Sequence, residues 1–352
     1  LCRHCHRGHS PRDRELDVEA VGDSPGVLRR LAAMGSESSF EQSREHFELP
    51  AGMEVAATAV ERQPDAIGAA IEACEQAEIG RAKQLELPAF AAPATAVLYI
   101  EMDGTCVPVV KAETEDRTDK AEGRPAHTRE AKLGCVFTQT RVDEDGRPVR
   151  DRDSTSNAGA IETAERFGLR PNTEAWRRGW SRDNTKVVIG DGADWIWNLA
   201  GQHFSSAIQI VDLYHARQHR RELSAKLFPT DKQGHQRWIA RCLDRLERGK
   251  IEGLVKIPRD LQPAAELAKL AGNEADSFER NAERMRYPAY RAQGLFIGCG
   301  VVEAGCKTVA GERLQCSGMF WTVRGANTII ALRCRRLSRR FEDYWASRSR
   351  AA

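Results

Sequence analysis

Two short apolar runs, each closed by an aspartate, constrain this chain more than any other feature. Val97-Leu98-Tyr99-Ile100-Glu101-Met102 leads into Asp103, and Val187-Val188-Ile189-Gly190 leads into Asp191. Runs of about four to eight apolar residues bounded by turn signals read as buried strands. A carboxylate beside such a strand is costly to bury unless it is paired or holds a cation. The pattern therefore asks for a sheet whose inner strands bring acids to one place. A third acid, Glu303, lies far downstream in Val301-Val302-Glu303-Ala304-Gly305-Cys306-Lys307, which reads as the start of a helix.

The order of the remaining elements narrows the fold. Strands are expected over Val97–Met102, Cys106–Val110, Leu133–Val142, Lys186–Ile189 and Ala207–Val211. The polar stretch from Glu113 to Glu130 reads as a loop, and Asp143-Glu144-Asp145-Gly146 carries turn chemistry. Helices are expected over Ala158–Phe167, Thr173–Trp180 and Asp194–Phe204, with another opened by Asp212 and running to Leu227. A three-strand meander followed by alternating helix and strand is the order of an RNase H-like domain. The expected fold class is α/β, with an RNase H-like core (a mixed five-stranded sheet with flanking helices) whose first part covers 94–227. In that fold the first and fourth strands are neighbours, which would bring Asp103 and Asp191 side by side. From 228 to 294 the pattern is helical, with Trp238, Ile239, Leu243 and Leu246 and later Leu261, Leu267 and Leu270, and reads as an all-helical insertion. The last segment, 295–352, holds the Glu303 helix and a basic C-terminal stretch. Val302, Cys306 and Val309 form its apolar stripe, with Glu303 and Lys307 one turn apart on the flank.

Ahead of the core, 20–93 reads as a helical region. Ser24-Pro25-Gly26 opens a helix with proline in its first turn, and Ser39 with Gln42 forms a capping box. Leu49-Pro50-Ala51-Gly52 breaks the pattern, and Val55 to Arg62 reads as a further short helix stopped by Pro64. Two short helices about a tight turn resemble a helix-turn-helix, although any small helical bundle looks alike. Gln84 to Pro93 reads as a linker. The first residues, 1–19, carry Cys2 and Cys5 in a Cys-x-x-Cys knuckle, half of a four-ligand zinc ribbon. His6 or His9 would complete a cramped Zn2+ site; a second knuckle upstream is the more natural partner, and a metal-free tail is the plain alternative. The chain begins with Leu rather than Met, which fits a truncated start or a non-standard initiation codon. Of the ten cysteines, Cys106, Cys135, Cys299 and Cys306 lie among apolar residues and read as small core side chains.

No apolar run approaches the roughly 20 residues that span a bilayer, and no signal peptide is visible, so a cytoplasmic location is expected. The net charge of +2 is uninformative, but from Ala304 onward there are ten Lys or Arg against three acids. Arg333, Arg335, Arg336, Arg339 and Arg340 would make a phosphate-facing surface, since such affinity comes from basic side chains displacing counterions. A solvated helix face is the alternative.

Three carboxylates converging on one site suit Mg2+ or Mn2+. Two divalent ions roughly 3.5–4 Å apart activate a water or a 3′-hydroxyl and stabilise the leaving oxygen of a phosphodiester. Asp103 would bridge both ions, Asp191 would hold one and Glu303 the other. No Ser-His-Asp arrangement or phosphate-cradling glycine loop competes.

Several longer motifs then carry a resemblance. Glu101-Met102-Asp103-Gly104-Thr105, Ile189-Gly190-Asp191-Gly192-Ala193-Asp194-Trp195-Ile196-Trp197, Val211-Asp212-Leu213-Tyr214-His215-Ala216 and Gly300-Val301-Val302-Glu303-Ala304-Gly305-Cys306-Lys307 resemble bacterial insertion-sequence transposases of the ISKra type. Ser317-Gly318-Met319-Phe320-Trp321-Thr322-Val323-Arg324-Gly325-Ala326-Asn327 is similar to them as well. The resemblance covers nearly the whole chain and implies a DDE-type transposase with Asp103, Asp191 and Glu303 as catalytic carboxylates. It implies double-stranded DNA as partner and a homodimer or larger synaptic complex. Family members carry a further Cys-x-x-Cys ahead of this start, so recognition of element ends is where the chain departs. Two rivals stand beside this reading: an RNase H-like nuclease or resolvase without strand transfer, and a non-catalytic remnant that represses a related element.

Lys307, Arg313, Trp321, Arg324 and His215 are the candidate DNA contacts. Each has a plainer reading. Lys307 would pair with Glu303, Trp321 would fill the core, and His215 with His219 would form a zinc pair lacking a third ligand. Asp212 reads as an N-cap or a further metal ligand, Asp194 as a cap, and Trp195 and Trp197 as core.

Overall fold

The computed structural model describes residues 24–351 apart from 53–54, 56, 85–96, 116, 119–124, 181–184 and 260–264. The Cys2–Cys5 knuckle, with His6 and His9, and nearly all of the expected linker lie outside the described residues.

A five-stranded mixed sheet forms the centre. Its strands are β1 (Val97–Pro108), β2 (Thr128–Gln139), β5 (Ser156–Ala160), β6 (Thr185–Gly190) and β7 (Ile208–Val211), in the order β5-β2-β1-β6-β7. β1 pairs antiparallel with β2 and parallel with β6, β2 pairs antiparallel with β5, and β6 pairs parallel with β7. A small separate hairpin, β3 (Arg141–Val142) with β4 (Pro148–Val149), carries the predicted Asp143–Gly146 turn.

The strand boundaries differ from expectation in an instructive way. The two strands expected on either side of Asp103-Gly104-Thr105 are one unbroken strand of 12 residues, β1. Gly104 is no turn: it pairs with Lys132, and a Cβ there would sit 2.5 Å from the Glu130 carboxylate lying across it. The third sheet strand is β5, part of which was expected to be helix. Its backbone pairs with Lys132–Val136, and Thr163 then caps a single helix, α4 (Ala164–Arg177), in place of the two expected ones.

The N-terminal region has three helices: α1 (Pro25–Glu37), α2 (Phe40–Ala51) and α3 (Ala57–Lys83). Ser39 caps α2 as predicted, Ser24 caps α1, and Gly52 ends α2 in a left-handed conformation. Pro64 does not stop α3, which runs 27 residues. The ring lies where Gly35 of α1 leaves room, since a Cβ on Gly35 would come 2.3 Å from Pro64 Cγ. Packing against α1 compensates the one hydrogen bond that proline forfeits.

After β6 come α5 (Asp194–His203) and, after β7, α6 (Leu213–Leu227). The predicted helical stretch holds α7 (Lys232–Glu247), α8 (Ile251–Arg259), α9 (Ala265–Arg280) and α10 (Tyr287–Ala292). Its buried Trp238, Leu246, Leu254 and Phe278 are continuous with the core of the sheet. Beyond it lie α11 (Gly300–Gly305), a wide π-helical turn over Cys306–Gly311, α12 (Glu312–Leu314), α13 (Val323–Leu337) and α14 (Phe341–Ala351). Among the described residues no helix is long and apolar enough to cross a membrane.

The chain's two ends share a core. Leu28 and Ala32 of α1 and Ile67 and Ile71 of α3 pack with Leu332 of α13 and Phe341, Tyr344 and Trp345 of α14. The closest approach is at Gly68, where a Cβ would fall 2.2 Å from the Thr328 carbonyl oxygen. Gly68→Ala is expected to push α3 off α13 and cost about 1–3 kcal/mol. Denaturant unfolding measures this, and an unchanged midpoint would contradict the packing described.

Candidate active site

One face of β1 organises the site. Side chains alternate across a strand, so Tyr99, Glu101, Asp103 and Thr105 share a face, and each meets a successive point of the 296–315 segment. The Tyr99 hydroxyl accepts from the Phe296 N–H (3.2 Å), and Glu101 Oε2 accepts from the Val302 N–H (2.8 Å). The Cys306 thiol lies 4.0 Å from Asp103 Oδ2, and Gln315 donates to the Thr105 hydroxyl (2.9 Å). The helix bearing Glu303 is thereby laid along β1. Gly305 permits the contact, because a Cβ there would be 2.8 Å from Leu133 and 3.0 Å from the Cys135 sulfur.

The two aspartates come together through register. Met102 pairs with Gly190, so Asp103 and Asp191 are the next residues on adjacent parallel strands. Asp103 lies within β1 rather than at its end, at the point where its β6 neighbour stops. Its Oδ1 accepts from the Gly104 N–H (2.7 Å), and Asp191 Oδ1 accepts from the Ala193 N–H (2.8 Å). Glu303 shares with Asp103 an open cleft of about 540 Å³, lined also by Cys306 and Lys307. Asp191 lines a neighbouring pocket of about 250 Å³ with His215, His219 and residues of α9.

Negative charge accumulates here. Burial pushes the Asp103 carboxyl up to about 6, its bond to the Gly104 N–H opposes this, and the charges of Asp191, Glu303 and Asp212 add to it. Burial likewise pushes Glu101 up to about 8, with Asp212 and Glu303 reinforcing the shift. Clustered hard oxygen donors short of positive charge are the donor set that suits Mg2+ or Mn2+.

Asp212 is fully buried and caps α6 by accepting from the Tyr214 (2.5 Å) and His215 (3.1 Å) N–H groups. Its other oxygen accepts from the Cys299 N–H (2.8 Å) and thiol. Among the described residues, Asp212, Cys299 and Glu303 form a group of possible metal ligands whose donor atoms all lie within 4.8 Å. Burial and the Asp212 charge push the Cys299 thiol far above its ordinary range, and in this structure the thiol donates to Asp212.

His215 and His219 meet Nε2 to Nε2 at 2.9 Å, and His219 Nδ1 contacts Glu274 of α9 at 2.9 Å. The expected histidine pair therefore has a carboxylate behind it, supplied by the helical segment. The hydrogen bond to Glu274 raises the His219 pKa against the effect of burial.

Other expectations need correction. Arg313 is 1% exposed; its guanidinium bonds the Gly35 carbonyl (3.0 Å), stacks on Phe40 and Trp321, and borders the cleft that Arg324 lines. Arg333 is equally buried, binding the Ser36 and Thr308 carbonyls, and Arg336 binds the Ala33 carbonyl. Arg340 pairs with Glu174 (2.9 Å) and Arg339 with Asp153 (2.6 Å). The C-terminal basic cluster thus serves largely as internal glue, with Arg339 at the surface. Trp321 is half-buried, joined by backbone bonds to Pro108 and Val110, and donates its indole N–H to Leu314. Arg324 is exposed and lines a cleft of about 660 Å³ with Trp321 and Phe320. Lys307 is exposed and, among the described residues, forms no ion pair; Glu303 turns instead toward Cys299 (3.4 Å). Cys106 is exposed rather than core, whereas Cys135, Cys299 and Cys306 are buried. Asp194 begins α5 without capping it, Ala193 being the cap residue. Trp197 is buried and Trp195 half-buried against Phe167.

Glu101 and Glu274 escaped the sequence reading. A charged residue inside the run Val97–Met102 is the signal that would have found Glu101; nothing local marks Glu274. No protein-family model matches the chain, and no curated protein is significantly similar to it.

Two outcomes follow from these charges. The raised Asp103 pKa contributes stability that is present below 3.8 and is lost as the pH rises through about 6. With divalent ions chelated, Asp103→Asn is expected to flatten the fall in melting temperature across that window; an unaltered slope would exclude Asp103 as its source. Glu274→Gln should lower the His219 titration midpoint in ring-nitrogen NMR, and an unmoved midpoint would exclude the pairing.

Proposed function

We propose that the chain is a DNA transposase of the DDE type, cutting element ends and joining them to target DNA on an RNase H-like fold. The observation that carries this reading is that Asp103 on β1 and Asp191 just past the end of the adjacent parallel β6 come together in register, with Glu303 sharing a cleft with Asp103. In chain order the first sheet strand lies between the second and the fourth, the arrangement expected of an RNase H-like core. Asp103, Asp191 and Glu303 are the residues that would hold Mg2+ or Mn2+, whose chemistry when bound is to activate an attacking hydroxyl and stabilise the leaving oxygen.

The chain's own side chains do the rest. Lys307 presents its ammonium at the rim of the Asp103–Glu303 cleft, with no ion pair among the described residues, where a phosphodiester would be drawn in against the surrounding carboxylates. A π-helical turn follows Glu303 directly, a local widening that is frequent at functional sites. Phe320, Trp321 and Arg324, the last paired with Asp65 (3.6 Å), line an aromatic cleft of mixed charge farther along, where DNA beyond the scissile phosphate would stack. His215, beside Asp191, is a further contact. Zn2+ at Cys2 and Cys5 remains part of the reading, with the missing ligands supplied by other residues.

The test uses the full chain, Mg2+ and duplexes taken from the DNA flanking its gene. Wild type should cleave these and join a free 3′-hydroxyl to a target. Asp103→Ala should reduce both reactions to background, with DNA affinity within about threefold because basic side chains dominate it. Cleavage without joining would favour a nuclease or resolvase; binding without either would favour a repressor. An Asp103→Ala protein that still cleaved in Mg2+ would overturn the site.

A further inference from the structure

The helix that presents Glu303 is short, and the stretch of chain before it is long. α11 has six residues and follows four helices of the 228–294 segment, so nothing in its own length fixes its height or rotation over the sheet. Two fully buried carboxylates from different strands hold its first residues. Glu101, on β1, accepts from the Val302 N–H at 2.8 Å. Asp212, at the end of β7, accepts from the Cys299 N–H at 2.8 Å while capping α6 with its other oxygen. Backbone N–H groups at a helix start have no partner within the helix, and here a buried carboxyl oxygen accepts from each of two of them. One acceptor would leave the helix free to pivot. Two, on strands separated by β6, define both its height and its direction.

We propose that Glu101 and Asp212 are positioning residues, a pair of carboxylates that clamp the start of α11 so that Glu303 is presented to the cleft it shares with Asp103. Neither lines that cleft, and each acts through the backbone of residues 299–302. The consequence for metal binding rests on the function proposed above; the clamp itself rests on the hydrogen bonds. Among the described residues Glu101 Oε1 has no hydrogen-bond partner, so of its two oxygens the one facing Val302 carries the contact.

The test compares Glu101→Leu, which removes the acceptor at similar volume, with Glu101→Gln, which keeps an amide oxygen to accept the Val302 N–H. Two readouts are taken on the full-length protein: hydrogen–deuterium exchange of a peptide covering 299–305, and Mn2+ affinity from the spin-resonance signal of free Mn2+. Glu303→Ala serves as the metal-binding control. Glu101→Leu should lose protection at 299–305 at least tenfold more than at α13 and bind Mn2+ at least tenfold more weakly. Glu101→Gln should stay within about threefold of wild type in both. Should Glu101→Leu fail to fold, Asp212→Asn, which keeps volume but loses one anionic acceptor, should show the same local loss. A folded Glu101→Leu or Asp212→Asn protein with wild-type protection at 299–305 would overturn the clamp. Wild type that binds no Mn2+ in a Glu303-dependent way would overturn the functional reading while the exchange data still judge the clamp.

Discussion

The site depends on one face of β1. Tyr99, Glu101, Asp103 and Thr105 project from it, and the 296–315 segment is bound to that face residue by residue, from Phe296 to Gln315. Strand and segment are about two hundred residues apart in sequence. Their contact is what turns dispersed acids into a cluster. The opposite face of the same sheet packs against α4 and α5, with Gly134 against Phe167 and Pro171 and Gly190 against Ile196. Both faces of the inner strands are thus covered, which is why their runs are almost continuously apolar.

Several arginines near the C-terminal end turn their charge to the interior. The last carbonyls of α1, at Ala33, Gly35 and Ser36, are bound by Arg336, Arg313 and Arg333 respectively. Helix C-termini leave carbonyls unsatisfied and attract cations, so three guanidiniums tie the N-terminal helices to the C-terminal ones. The aromatic stacking of Arg313 between Phe40 and Trp321 reinforces the same joint. A chain rich in arginine at one end therefore need not offer a basic surface there. Buried guanidinium groups can serve as connectors wherever enough carbonyls surround them.

Local chemistry was legible where it is local. The Ser39 cap of α2, the Asp143–Gly146 turn and the Asp212 cap all follow from side-chain oxygens meeting nearby N–H groups. The strand gap expected at 103–105 and the helix stop expected at Pro64 were overridden by partners from elsewhere: β2 for one, Gly35 for the other. Arg333 and Arg336 of the C-terminal stretch misled for the same reason, since composition cannot distinguish a charge facing water from one facing a carbonyl.

The sequence by itself determined the strands that bear Asp103 and Asp191, the helical character of 228–294, and the helix that bears Glu303, because hydrophobic period and capping act over a few residues. Tertiary structure decided what those acids face. The register of Met102 against Gly190, the clamp of Glu101 and Asp212 on α11, and the arrival of Glu274 behind His219 join residues far apart in the chain. Such contacts are set by closure of the sheet and by burial of polar groups that must find partners, and no short window of sequence contains both members of any of them.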